Sequence, residues 1–163
     1  MSAKVLVSQS SVACEQLEYV TFRLADQWLG IPVLVVQEVL VAMRIARVPL
    51  APDAIAGFLN LRGQIVTAVD LRTTLRLASR DADAGVMNVV VRHESELFAF
   101  MVDEVGDVVT VATDTIEPAP ATLDRRWRAA CTGIVRLERG LLLVMNVHEV
   151  LRLDLASDQG LPV

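Results

Sequence analysis

The sequence predicts a mainly β fold made of two similar lobes, each a small barrel of about five strands. Three observations lead there. Apolar and polar residues alternate in short runs bounded by turn residues, as in Tyr19-Val-Thr-Phe-Arg-Leu24, where Val20, Phe22 and Leu24 share one face. The apolar stock is mostly Val, Leu, Ala and Ile: hydrophobic residues make up 53% of the chain and aromatics only 4%, a mix suited to half-buried strands. Finally, the second half of the chain repeats the first.

Taken in order, Tyr19–Leu24 is the first strand, Ala25-Asp26-Gln27 a polar turn and Trp28–Pro32 the returning strand. From Val33 to Leu40 the spacing of Val33, Val36, Val39 and Leu40 predicts a short helix with Gln37 and Glu38 turned outward. Ile45–Val48 is expected as a strand stopped by Pro49, and Pro52-Asp53 as a turn. Gly57–Leu61 and Gln64–Val69 read as a hairpin about Arg62-Gly63, with Asp70 capping a helix over Leu71–Leu75. Ser79–Gly85, polar and rich in turn formers, reads as a linker. Strands follow near Val86–Arg92, Leu97–Val102 and Val108–Val111, then a loop at Glu117-Pro-Ala-Pro120. A second hairpin, Gly133–Leu137 with Leu141–Met145, leads into a helix from Asn146, where Glu149 three residues on makes a capping-box-like start.

The repeat lies in the two hairpins. Gly57-Phe-Leu-Asn-Leu61 through Asp70-Leu-Arg72 matches Gly133-Ile-Val-Arg-Leu137 through Asn146-Val-His148 at an offset of 76, if Glu138 is an insertion and the next strand one residue shorter. Upstream, the hairpin from Tyr19 into Val36-Gln-Glu-Val39 echoes the one from Asn88 into Val102-Asp-Glu-Val105. Closure into barrels is expected because it removes exposed sheet edges.

Composition narrows the function. A mean hydropathy of +0.47 is high, yet Leu29–Val36 is stopped by Gln37-Glu38, far short of the roughly 18–20 apolar residues of a membrane span. The surplus belongs in the core or on a surface that meets a protein partner. A net charge of −5 argues against nucleic acid as partner; Arg125, Arg126 and Arg128 flank Trp127 in what reads as a solvated helix or loop. The N-terminal stretch has no adequate apolar core for a signal peptide and reads as a flexible tail. Cys14 and Cys131 fit no metal or redox spacing and read as two reduced thiols. His93 and His148 stand in unrelated sequence surroundings, and Asp81 and Asp83 lack the pattern of a calcium loop. Asp103-Glu104 reads as a lobe-boundary or capping feature. No nucleophile–base motif, phosphate loop or metal motif is present in the sequence, so no enzyme, cofactor or metal is expected.

Val48-Pro-Leu-Ala-Pro52, Gly57-Phe-Leu-Asn-Leu-Arg-Gly63 and Ile65-Val-Thr-Ala-Val-Asp-Leu-Arg72 resemble the signature stretch of the CheW family. Gly30-Ile-Pro32 and Val36-Gln-Glu-Val39 precede it in that family's order. Met101-Val-Asp-Glu-Val105, Ile116-Glu-Pro-Ala-Pro120 and Thr132-Gly-Ile134 follow, so the resemblance spans residues 17 to 155, leaving 1–16 and 156–163 as expected tails. It implies two SH3-like five-stranded barrels and a non-enzymatic cytoplasmic scaffold that touches membranes only through receptors. Its implied partners are the hairpin tips of chemoreceptors and the regulatory domain of the histidine kinase CheA, with which it alternates in rings through end-to-end barrel contacts.

Position by position, the resemblance implies that Val36 and Glu38 contact the receptor and that Arg62 serves assembly with receptor and kinase. It also implies that replacing Gly57 perturbs partner binding. The residues admit plainer roles as well. Gly57 fits a strand start needing unusual φ, Arg62 a turn clasp, and Val36 a core position; Glu38 has the least structural excuse. Thr67-Ala68, Asn146 and Thr73-Thr74-Leu75 depart from the family pattern, leaving the pathway open between flagellar chemotaxis, twitching motility and another kinase circuit. A small-ligand-binding barrel is a more distant reading, since such pockets need convergent polar groups and the inward candidates here are aliphatic.

Overall fold

Alternating side chains and two-residue turns set the described residues (15–41, 43–81 and 85–159 of this computed structural model) into ten strands. They are β1 Gln16–Leu24, β2 Gln27–Pro32, β3 Val36–Val41, β4 Ile55–Leu61 and β5 Gln64–Asp70 in the first half. In the second are β6 Met87–His93, β7 Glu96–Val102, β8 Glu104–Ala112, β9 Cys131–Leu137 and β10 Gly140–Met145. Three helices complete the chain: α1 Leu71–Thr74, α2 Arg125–Ala130 and α3 Val147–Gln159. No helix among the described residues is long and apolar enough to cross a membrane.

The strands form two five-stranded sheets, in the orders β8-β1-β2-β10-β9 and β3-β6-β7-β5-β4. Each SH3-like lobe therefore takes strands from both halves of the chain. The repeat explains why the orders match. Replacing β1, β2, β3, β4 and β5 by β6, β7, β8, β9 and β10, and the reverse, turns one sheet order into the other. Residue registers obey the same exchange: Leu24 faces Gln27 as His93 faces Glu96. In the later hairpins Leu61 faces Gln64 as Leu137 faces Gly140.

Each sheet wraps a small apolar interior, Leu59, Leu61, Val66 and Val90 in the second lobe and Tyr19, Val135, Leu142 and Val144 in the first. The largest core lies between the lobes, where Phe22, Leu29 and Ile31 of the first sheet meet Val69, Val89 and Phe100 of the second. Each such side chain contributes about 1.5–3 kcal/mol on burial, so the lobe junction is the main stabilising element. Asp70 caps α1 as expected, its Oδ1 accepting from Arg72 N at 3.0 Å, and Asn146 Oδ1 accepts from Glu149 N at 3.1 Å at the start of α3.

Several expectations are corrected. Val33–Leu40 is not a helix: Val33–Val35 is a single 3-10 turn and Val36 begins β3. Branched side chains favour the strand, and pairing with β6, more than forty residues on, is invisible to local periodicity. Ile45–Val48 shrinks to one bridge, Ala46 with Phe58. Arg62 and Glu138 each follow the last residue of a strand in turns of equal length, so no insertion is needed and the offset of 76 runs unbroken from Leu61–Leu137 to Gln64–Gly140. Within the expected linker Arg80 is anchored, donating to Asp70 at 3.4 Å and to Asp103 at 3.2 Å. The arginine segment is helical but not merely solvated: Arg126 and Trp127 are half-buried, and Arg126 donates to the Thr74 carbonyl. β1 starts at Gln16 and α3 continues to Gln159, both inside the expected tails. Cys14 lies outside the described residues; Cys131 is a buried free thiol whose pKa burial pushes up to about 11.

Candidate partner-binding site

β3 and β4 are the two edges of the second sheet, and of the four expected contact residues Glu38 and Arg62 meet directly while Val36 and Gly57 lie apart from them. A β-bulge at Gln37 separates the two faces of β3. Beyond it Glu38 and Leu40 turn toward the barrel interior and are half-buried, whereas Val39 and Val41 turn outward, 37% and 71% exposed. Arg62 sits in the β4–β5 turn at φ 52, with Gly63 at φ 87, a pair of left-handed residues that suits a two-residue hairpin.

That turn delivers the guanidinium to the far edge. Arg62 Nη1 and Nη2 donate to Glu38 Oε2 and Oε1 at 2.5 and 2.8 Å, a bidentate fork closing the barrel mouth. The Arg62 hydrogen bonds hold the Glu38 carboxyl below the usual carboxylate range, against partial burial, and Glu38 in turn raises the Arg62 pKa. Glu38 thus has a structural role that the outward-facing helix did not allow: its side chain is 22% exposed and that of Arg62 70%. Val36 is half-buried and packs against the interlobe core, the plainer of its two roles.

Gly57 lies near the start of β4, toward the end of the strand away from Arg62. Its φ is +148, and the main chain of Ala46 crosses it so closely that an added Cβ would lie 2.2 Å from the Ala46 carbonyl oxygen. Phe58 N donates to Ala46 O at 2.8 Å and Ala46 N to Phe58 O at 2.7 Å, covering the free edge of β4. Phe58 and Ile65 remain 39% and 64% exposed as diagonal neighbours on the outer face of the hairpin.

The other lobe carries the same arrangement. Asp107 and Val108 occupy in β8 the places of Glu38 and Val39 in β3, and Leu141 that of Ile65. Val108 and Leu141 are 53% and 49% exposed, and Arg139 approaches Asp107 at 3.9 Å. This second face was missed because the sequence echo set Val102-Asp-Glu-Val105 against Val36-Gln-Glu-Val39, whereas the strand registers give the place of Val36 to Val105 and that of Glu38 to Asp107.

Asp154 and the His93–His148 pair escaped sequence reasoning, whereas Asp103 holds the lobe-boundary place expected of it. Asp103, read as a lobe-boundary residue, accepts from Ala25 N at 2.8 Å in one lobe and from Arg72 at 2.6 and 3.0 Å in the other. Burial opposes its charge, yet the Arg72, Ala25 and Arg80 hydrogen bonds win and leave its pKa at about 2. Asp154 is buried on α3 with Thr74 Oγ1 donating to it at 2.9 Å. His93 and His148, far from occupying unrelated surroundings, lie 3.3 Å apart.

A two-barrel body with paired exposed seams and an aliphatic interior defines a protein-interaction module. The CheW-like domain model matches residues 18–154, and the chain belongs to that family. It is 27% identical to a chemotaxis protein CheW of Helicobacter pylori over 86% of this chain and 84% of that one. It is 29% identical to one of Klebsiella aerogenes (90% and 89%) and 31% identical to one of Bacillus subtilis (70% and 72%). The crystal structure of the scaffolding protein TtCheW from Thermoanaerobacter tengcongensis superposes with a TM-score of 0.74 at 26% identity, covering 82% of this chain and 86% of that chain. The family consists of scaffold adaptors, which agrees with the expectation of no enzymatic activity.

Proposed function

We propose that this chain is a cytoplasmic, non-enzymatic scaffold coupling chemoreceptor hairpin tips to the regulatory domain of the kinase CheA. The observation that carries this reading is the duplicated seam. Glu38–Arg62 with Val39 and Ile65, and Asp107–Arg139 with Val108 and Leu141, offer two similar faces on opposite lobes. A body with two such faces suits a bridge that holds partners at both ends, and family membership supports the same role. Exposed aliphatics beside a charged pair supply what a transient interface needs, an apolar centre with a polar rim.

Glu38→Arg alone confronts Arg62 with a second cation, so the informative set is Glu38→Arg, Arg62→Glu and the double exchange. Binding to a receptor hairpin fragment and to the CheA regulatory domain is measured by pull-down, and folding by thermal melt. The exchange restores an ion pair of reversed direction and with it the wild-type melting temperature. Receptor binding stays lost in Glu38→Arg and in the exchange, while Arg62→Glu weakens both partners. If the double exchange binds both partners as wild type does, the pair is only a clasp and the proposed contact site is wrong.

A further inference from the structure

The exchange symmetry of the fold predicts that whatever α1 does at the lobe junction, α3 does on the other side. His148 in α3 occupies the place of Arg72 in α1, two residues beyond the capping Asn146 and Asp70. In the first junction Arg72 reaches across to the β1–β2 turn of the opposite sheet, where Asp103 joins its guanidinium to Ala25 N. In the second, His148 reaches across to the β6–β7 turn of the opposite sheet and meets His93 and Glu94, the counterparts of Leu24 and Ala25. The first junction carries its own cation. The second replaces the arginine by an imidazole and adds another imidazole and a carboxylate, three lone-pair donors.

Two of the three separations match those between ligands of one ion. His148 Nδ1 lies 3.3 Å from His93 Nε2, and the same His93 nitrogen lies 3.6 Å from Glu94 Oε2. Two ligand nitrogens about 2.05 Å from a tetrahedral zinc stand about 3.3 Å apart, and a nitrogen and an oxygen about 3.4 Å apart. The three ligand atoms lie within 4.8 Å of one another. The imidazole planes are tilted by 51°, so the rings do not stack. The turn holds Glu94 and Ser95 at φ 50 and 70, a left-handed pair without glycine that places the carboxylate beside His93. The side chains of His93 and Glu94 are 23% and 74% exposed, so a hydrated ion has access and a fourth position remains for water.

We propose that His93, His148 and Glu94 bind one divalent transition-metal cation of the zinc type, clamping α3, which follows the first sheet, to the β6–β7 turn of the second. The bound ion is structural: it replaces in this junction the cross-lobe ion pair that Arg72 and Asp103 make in the other.

The test uses full-length protein free of any purification tag and stripped with a chelator, titrated with zinc chloride by calorimetry and followed by thermal melt. One zinc binds per chain and raises the melting temperature. His93→Gln and His148→Gln keep the metal-free melt but lose at least about tenfold in affinity, the scale seen on losing even a supporting group; Glu94→Gln loses less. Cobalt(II) on the wild-type protein supplies an independent reading through the intense visible absorption of tetrahedral coordination. The proposal is overturned if no binding at one per chain occurs, if binding is unchanged in both histidine variants, or if bound zinc leaves the melt where it was.

Discussion

A methyl group added at Gly57 would stand 2.2 Å from the Ala46 carbonyl oxygen, 2.8 Å from its carbon and 2.7 Å from Ile45 Cγ2. Backbone on one side and a branched side chain on the other leave little room to yield. Gly57→Ala must therefore push the Ala46 segment off β4, breaking its two hydrogen bonds of 2.7 and 2.8 Å with Phe58, worth about 1 kcal/mol each. The φ of +148 adds strain of about 1–3 kcal/mol for a residue with a Cβ. The sum is about 3–5 kcal/mol, which for a domain of this size lowers the melting temperature by roughly 10 °C. Two controls separate the causes. Gly133→Ala meets the Glu117 carbonyl oxygen at 2.4 Å without a left-handed φ, and Gly63→Ala has φ +87 with nothing within 4 Å. Differential scanning calorimetry and urea titration should rank Gly57→Ala as the most damaging. A Gly57→Ala melt within 2 °C of wild type, or no lower than that of Gly63→Ala, refutes the close approach of Ala46 as the reason for glycine here.

Two predictions concern the junction carboxylates. Asp103→Ala strands the guanidiniums of Arg72 and Arg80, whose side chains are 16% and 11% exposed, and should cost about 3 kcal/mol or more in urea unfolding; a loss under 1 kcal/mol would show the network to be dispensable. The low pKa of Asp103 means that its contribution is present above about pH 4 and fades as pH falls toward 2, which acid titration of unfolding checks. Burial raises Asp154 to about 6, against the Thr74 hydrogen bond and the Arg126 charge. The folded state then binds this proton more tightly than the unfolded one, so stability falls as pH rises from about 4 to about 6. Asp154→Asn should add about 1–2 kcal/mol at pH 7, after discounting amide donors left without acceptors, and should cost about 1 kcal/mol at pH 4, where only that discount remains. Equal effects at both pH values would contradict a buried, titrating carboxylate.

The hairpin about Arg62-Gly63 was legible because turn chemistry and period-two alternation are local signals; the second hairpin was legible too, but its turn was read one residue too long, through Gly140. The repeat was also legible, since Gly57 and Gly133 recur for one physical reason, a main chain crossing above each. β3 was not, because Val33, Val36, Val39 and Leu40 satisfy a helical period that only pairing with β6 overrules. The same error turned Glu38 outward and hid its partner Arg62, although both residues had been singled out. The histidine pair and Asp154 were beyond reach for another reason: 55 and 80 residues separate each from its partner, His93 from His148 and Thr74 from Asp154.

The exchange of strands has a consequence for where the molecule can be divided. A half-length chain holding β1 to β5 owns two strands of one sheet and three of the other, so it finishes neither barrel. Two such halves complete each other, as partners in a strand-swapped dimer would. The present chain has the form of that dimer with its two subunits joined. Neither lobe is a separable bead on a string, because each sheet draws strands from both halves of the chain.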